Sequence, residues 1–279
     1  MPFVLFFLGL TFVNANANPF DNEMRAKIAV LQNGGQSERA RAAEALGYMR
    51  AYKAENALIA ALSDDVAEVR RSAALSLAWC GSRVALKPLL QKLDDTDWTV
   101  RQSAGTALEN LTGMAFLFDA LSNPAVRKQA VTQWENWINA LPDKKIPDDV
   151  LQLLRSSDHC KAARGLRAAG ALGLNAATVK LLTETLETWK KNSNEEDSDA
   201  KIRVQTALRA LGRSDVSEAF PVLCDFLRNP QWTRYAADAL GDFGGDDAAA
   251  VLMGVFPQHA RQLTDENLSG ERISKAAAT

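Results

Sequence analysis

A short motif recurs in the first half of the chain at a fixed interval of 31 residues, and this interval limits the possible folds severely. The segments that begin at Glu38, Val69 and Val100 each carry arginine at the second position and alanine or leucine at helical spacing. The same interval relates Leu58 to Leu89 in a second apolar stretch. A complete structural unit is therefore repeated, and such units stack on one another in repeat proteins.

Each unit contains two helical patterns, joined by a short polar break and followed by an acidic turn such as Asp64-Asp65 or Asp94-Asp95. Ala and Leu are strong helix formers and supply 81 of the 279 residues, whereas strand formers are sparse. One helical hairpin cannot bury both of its faces, so neighbours must cover it. The sequence predicts an all-α fold, an α-solenoid of about six stacked helical hairpins. Weaker copies of the unit lie around residues 160–189, 207–227 and 234–255.

The strongest copy carries the pattern V-R-R-x-A-A-x-x-L from Val69, then Pro88-Leu89-Leu90 and an acidic turn. This pattern resembles the short bacterial HEAT-like repeats, often called phycobilisome-lyase-type HEAT repeats. The resemblance implies a right-handed superhelix whose second helices line a concave face. It also implies protein-binding roles for most members, although a minority are chromophore lyases or other enzymes.

The first 17 residues differ in composition from the rest of the chain. The apolar run PFVLFFLGLTFV is about half the length of a membrane-spanning helix and precedes Ala15 and Ala17, which suit a signal-peptidase site. No Lys or Arg precedes the run, and a short buried helix is the alternative. We predict a signal peptide at 1–17 and export to the periplasm or the exterior, with no membrane span after cleavage.

The mature chain is predicted to form one solenoid and a tail. The solenoid covers residues 18–258, with an irregular unit at 111–147 and a polar insertion at 190–199, and a polar tail follows at 259–279.

The sequence contains few residues suited to catalysis. It has two histidines, and it lacks C-x-x-C, H-x-x-x-H, P-loop and G-x-S-x-G motifs. Asp158, His159 and Cys160 are consecutive, but adjacent helical residues point apart, so Asp158 is better explained as a helix cap. Cys80, Cys160 and Cys224 lie in Ala/Leu-rich stretches and are predicted to be buried thiols. We therefore predict no catalytic, metal-ligating or cofactor-binding residue, and no cofactor.

Five residues are candidates for contact with a partner. Arg70 and Arg101 share one repeat position and form either a ladder for an anionic partner or structural pairs with aspartates of the preceding turns. Trp98, Trp134 and Trp137 are either interface residues or core residues of an irregular unit.

These features favour an exported, non-enzymatic scaffold that binds a protein partner along the concave face. The alternative is a lyase-like or glycan-related accessory enzyme whose concave site is hidden in the linear sequence. Nucleic acid is not a predicted partner, because the net charge is −2, the pI is near 5.8 and acidic turns recur.

Overall fold

The computed structural model describes residues 19–143, 145–192 and 198–265. The predicted signal peptide lies outside the described residues, as do positions 193–197 of the predicted insertion and the tail beyond 265. The described residues contain fourteen α-helices and no strand. The helices are α1 (Pro19–Asn33), α2 (Gln36–Tyr48), α3 (Glu55–Ala61), α4 (Ala67–Cys80), α5 (Leu86–Lys92), α6 (Trp98–Thr112), α7 (Pro124–Asn139), α8 (Asp148–Leu154), α9 (His159–Leu172), α10 (Ala176–Asn192), α11 (Ser198–Gly212), α12 (Ala219–Leu227), α13 (Thr233–Phe243) and α14 (Gly245–Asp265).

The helices form an α-solenoid, as the repeat interval predicts. Helices α2, α4, α6, α9, α11 and α13 pack side by side in that order, and we call them the first helices. The second helices α3, α5, α10 and α12 each contact the first helix of the following unit. The unit of α6 is irregular, because an extended segment and helices α7 and α8 replace its second helix.

The acidic turns initiate helices. Asp97 accepts a hydrogen bond from the Thr99 N–H at the start of α6, and Asp158 accepts one from the Lys161 N–H at the start of α9. These carboxylates satisfy amide groups that have no partner within the helix. The prediction that Asp158 caps a helix is therefore confirmed.

The first helices approach one another most closely towards their C-terminal ends. A Cβ atom added to Gly47 in α2 would lie 2.5 Å from the Oγ of Ser76, and one added to Gly212 in α11 would lie 2.4 Å from the carbonyl oxygen of Ala239. Glycine is needed at both positions because any side chain would force the helices apart. The row is curved, because Arg213 after α11 donates a 2.7 Å hydrogen bond to the Gly81 carbonyl after α4.

This curvature changes which helices line the inner recess. Its walls come from the first helices α4, α6, α9 and α11 and from the turn after α2. The expectation that second helices line the concave face is wrong for this recess. Among the described helices, none combines the length and the apolar composition that a membrane span requires.

Candidate functional site

Arg70 joins two neighbouring acidic turns and is a structural residue. Its Nε and Nη2 donate to the two carboxylate oxygens of Asp95 at 2.9 and 2.8 Å, and its Nη1 donates to the Asp64 carbonyl at 2.9 Å. Only 13% of the Arg70 side chain and 6% of the Asp95 side chain are exposed. Burial opposes the ionisation of Asp95, but hydrogen bonds from Arg70 and the Asp97 N–H outweigh it and lower the pKa of Asp95. The carboxylate partner lies in the following turn, so its predicted place in the preceding turn is wrong.

Arg39 and Arg101 continue this row in the neighbouring units. Arg39 binds both carboxylate oxygens of Asp64 at 2.8 and 2.7 Å. Arg101 instead donates to the Ala120 carbonyl at 3.0 and 2.8 Å and to the Asp95 carbonyl at 2.8 Å. The irregular segment therefore supplies a backbone acceptor where the regular units supply a carboxylate. These contacts agree with the structural interpretation of the arginine ladder.

Trp134 and Trp137 fix the irregular unit. The Trp134 side chain is fully buried and packs edge-to-face on Phe116, with ring centroids 4.6 Å apart. Trp137 is half-buried, and its Nε1 donates a 2.6 Å hydrogen bond to Asp149 at the start of α8. Both therefore pack α7 against its surroundings, the second of the two interpretations that the sequence left open.

Trp98 is placed differently. Half of its surface is exposed at the first position of α6. It thus stays a candidate contact residue, and none of the other four predicted candidates joins it in a common site.

A second arginine cluster lines the inner recess. We call this recess, about 200 Å³ in volume, the arginine cleft; the residues that define it are Arg50, Tyr52, Trp79, Arg167, Arg209 and Arg213. The guanidinium carbons of Arg50 and Arg167 lie 5.1 and 5.7 Å from the ring centroid of Trp79, which is 42% exposed. The guanidinium carbon of Arg213 lies 4.2 Å from the ring centroid of Tyr52. Cations at these distances interact favourably with the aromatic faces.

The charges of the cleft affect one another. Burial lowers the pKa of Arg167, and the nearby cations Arg50 and Arg164 lower it further. Burial and Arg50 also lower the pKa of Arg209, against the opposing effect of Asp238 and Asp242 on α13. Arginine stays protonated in proteins, so the cleft is cationic at neutral pH.

Asp242 marks the boundary of the cleft at α13. The residue reaches solvent, yet the surrounding protein atoms limit its hydration, and this effect together with Asp238 raises its pKa to about 6. Arg213, Arg209 and Arg50 oppose the increase. The folded protein therefore takes up this proton at higher pH than the unfolded chain, in which the pKa of the Asp242 carboxyl is near 3.8. Protonation of Asp242 consequently stabilises the fold as the pH falls through 6 towards 4, and this contribution is lost as the pH rises through 6.

The variant Asp242→Asn tests this assignment. We expect the advantage of the variant over wild type in free energy of unfolding to be larger at pH 7.5, where Asp242 is ionised, than at pH 5.0, where it is mostly protonated. Urea titrations at both pH values measure the difference. Asp225→Asn, at an exposed aspartate on α12, serves as the control. An equal difference at both pH values for Asp242→Asn would contradict the assignment.

The thiols and His159 do not form a reactive centre. Cys80 is buried, and burial raises the pKa of its thiol to about 12, so it is not a nucleophilic thiolate at neutral pH. Cys160 is exposed and Cys224 is half-buried, so the prediction of three buried thiols is wrong for Cys160. His159 lies at the surface, with its Nε2 3.8 Å from a carboxylate oxygen of Asp199.

Among the described residues, no three His, Cys, Asp or Glu side chains are grouped so that they could hold a metal ion.

The sequence contains two signals for the cleft that the repeat alignment did not use. The 31-residue interval places Arg50 at the position of Gly81, a turn residue, and Tyr48 at the position of Trp79. Tyr48 and Trp79 are both exposed. A cation in a turn position and exposed aromatic residues at one repeat position are both unusual enough to be noticed in an alignment of the units.

Comparison with known proteins supports the repeat assignment. Residues 26–109 match the family model described as HEAT repeats. No curated protein shows significant similarity to the sequence. The repeat interval and the stacked helical hairpins define an α-helical repeat protein of the solenoid class. The resemblance to HEAT repeats that the sequence predicts is supported over residues 26–109.

Several solved structures are similar to the chain. The complex of CpcE and CpcF of phycocyanin lyase from Nostoc sp. PCC7120 is 24% identical over 82% of this chain and 92% of that chain, with a TM-score of 0.38. An engineered protein is 20% identical over 80% and 96% of the two chains, with a TM-score of 0.31. A designed armadillo repeat protein is 16% identical over 79% of this chain and 100% of that chain, with a TM-score of 0.28.

Proposed function

We propose that this protein is an exported, non-enzymatic scaffold that binds a partner protein in the arginine cleft. The observation that carries the proposal is the convergence of four arginines in one cleft, two of them over the partly exposed ring of Trp79. Arg and Trp are the residue types that contribute most often to binding hot spots. HEAT-type solenoids typically act as protein-interaction scaffolds, which agrees with this role.

The cleft arginines differ from the structural arginines of the ladder. Arg70 is held by two hydrogen bonds to one carboxylate and by further bonds to backbone carbonyls. Within the described part of the chain, the guanidinium groups of Arg50 and Arg209 donate no hydrogen bond to protein atoms. A guanidinium offers five donors, so these two residues retain capacity for an external acceptor.

The chemistry of the cleft fits binding better than catalysis. The titratable groups that line the cleft are arginines and Tyr52, whose pKa is raised mainly by burial, and neither type supplies a proton acceptor at neutral pH. Asp242 on α13 is a proton acceptor above pH 6, but it lies outside the lining of the cleft. Cys80 lies behind the cleft as a buried thiol with a strongly raised pKa. We therefore place the accessory-enzyme hypothesis second.

Affinity capture from the exported fraction of the source cells tests the proposal. The full chain, Trp79→Ala and Trp98→Ala are immobilised in parallel, and retained proteins are identified by mass spectrometry. We expect one stoichiometric partner on wild type and Trp98→Ala, and binding at least about tenfold weaker on Trp79→Ala, because a buried aromatic anchor contributes 2 kcal/mol or more at a hot spot. The two tryptophans have similar exposure, so each serves as a control for the other.

The outcomes separate the two candidate surfaces. Loss of the partner with Trp98→Ala alone would move the site to the start of α6, and the absence of any specific protein would reject the scaffold.

The same cells test export: we propose that the exported protein begins at Asn18. Intact-mass measurement of the native protein determines where it begins. A mass that includes residues 1–17 would contradict the proposed cleavage.

A further inference from the structure

We infer that the arginine cleft recognises an acidic segment of the partner protein, with carboxylates bound by Arg50, Arg167 and Arg209 and an adjoining side chain packed on Trp79. This inference rests on the proposed function and specifies the chemistry of the partner. The ligand class is a peptide segment that carries several Asp or Glu residues.

The first support is the charge of the cleft. Arg167 uses its Nη1 to donate to the Asn110 side chain at 2.9 Å, and Arg213 donates to the carbonyls of Gly81 and Cys80. The guanidinium groups of Arg50 and Arg209 donate no hydrogen bond within the described structure. Four guanidinium groups in one recess repel one another, and anionic acceptors would relieve this repulsion while forming charge-assisted hydrogen bonds.

The second support is the backbone of Arg50. Its φ angle is +52°, in the left-handed region that glycine and asparagine favour at helix ends. An arginine in this conformation is strained, and such strain is concentrated at functional sites. The strained backbone directs the Arg50 side chain to the face of Trp79. A glycine would suit the turn better, so the arginine is explained by what its side chain does.

The third support is the aromatic surface. The guanidinium groups of Arg50 and Arg167 both lie against Trp79, whose exposed part offers an apolar surface beside two cations. Tyr48, at the same position of the preceding unit, is 89% exposed and extends the aromatic surface along the row. A peptide provides both carboxylates and apolar side chains at neighbouring positions, whereas an inorganic anion provides only charge.

The surroundings favour a short acidic segment over a continuous polyanion. Asp238 and Asp242 on α13 act on the cleft arginines from one end and would repel a charged strand that continued past them.

Fluorescence anisotropy with a labelled dodecapeptide tests the inference. One probe carries Glu at alternate positions, and the matched probe carries Gln instead. We expect the full chain to bind the Glu peptide, to bind the Gln peptide at least about tenfold more weakly, and to lose affinity as salt increases. Arg50→Gly should weaken binding of the Glu peptide by about tenfold or more, because one charge-assisted contact is lost. Its melting temperature should equal or exceed that of wild type, because the strain is removed.

Two further variants complete the design. Arg167→Gln, on α9, removes another cation of the cleft without changing a strained backbone position. It should also weaken binding of the Glu peptide about tenfold. Arg228→Ala removes an exposed arginine outside the cleft and should leave affinity unchanged. Unchanged affinity in both Arg50→Gly and Arg167→Gln would overturn the inference, as would equal binding of the Glu and Gln peptides.

The remaining outcomes distinguish this inference from the proposed function. Tighter binding of a 12-nucleotide single-stranded DNA than of the Glu peptide would overturn the acidic-peptide assignment. A captured partner that excess Glu peptide fails to displace would also reject it, while leaving the scaffold intact. Absence of any captured partner, together with binding of the Glu peptide, would reject the scaffold and leave the cleft as an acidic-peptide site.

Discussion

Replacing Trp134 with alanine should lower the free energy of unfolding by about 4 kcal/mol, the typical cost of truncating a fully buried tryptophan. The side chain has no exposed surface and packs edge-to-face on Phe116, so its removal leaves a cavity and also breaks an aromatic contact. Trp134 is the largest of the three buried side chains of helix α7. We therefore expect the irregular unit to lose most of its anchoring in this variant.

Urea denaturation followed by circular dichroism at 222 nm measures the change. Trp98→Ala is the matched control, because the same residue type is removed from a half-exposed position. Its effect should stay within about 0.5 kcal/mol, as for most surface substitutions. Comparable losses in the two variants would contradict the assignment of Trp134 to the core and Trp98 to the surface.

Asp95→Ala should destabilise the protein by about 3 kcal/mol, because it leaves the Arg70 guanidinium largely buried without a counter-charge. The same change removes the acceptor of the Asp97 N–H, at the residue that caps α6. The exposed pair Arg228 and Asp225 offers the control, since solvent-exposed ion pairs contribute about 0–1 kcal/mol. Asp225→Ala should therefore have little effect.

A double variant shows whether the pair or the single charge matters. Combining Arg70→Met with Asp95→Ala removes both charges, so its loss should be smaller than that of Asp95→Ala alone. Chemical denaturation of Arg70→Met, Asp95→Ala and the double variant at pH 7 measures their free energies of unfolding. A double variant that is as unstable as the sum of its single variants would show that Arg70 and Asp95 act independently.

The sequence predicted the helical hairpins because their signal is local. The sequence shows this signal within one unit or between two neighbours, as periodic Ala and Leu, acidic caps and the 31-residue interval. Each of these features agrees with the structure. The carboxylate partner of Arg70 was placed in the wrong turn. The preceding turn offers Arg70 only backbone carbonyls, since its Asp64 carboxylate binds Arg39, and the following turn supplies Asp95. Cys160 was expected to be buried from the composition of α9, yet it lies in the first, exposed turn of that helix.

The arginine cleft was not predicted because it depends on the path of the whole solenoid. Arg50 and Arg209 are separated by more than one hundred and fifty residues, and no local pattern links them. Their proximity follows from the course of the row of first helices, whose members α4 and α11 are brought together at the bond from Arg213 to Gly81. Net charge was equally uninformative, since four arginines in one recess are compatible with a chain whose overall charge is −2.

The bond from Arg213 to Gly81 also bears on how the protein unfolds. In a linear array each repeat interacts only with its neighbours, so terminal repeats can melt while the centre stays folded. Here a side chain after α11 is bonded to the backbone after α4, across 132 residues. Loss of either unit breaks a contact of the other, which joins distant repeats into one cooperative block. The curved inner row thus gives the molecule some of the all-or-none behaviour of a globular domain.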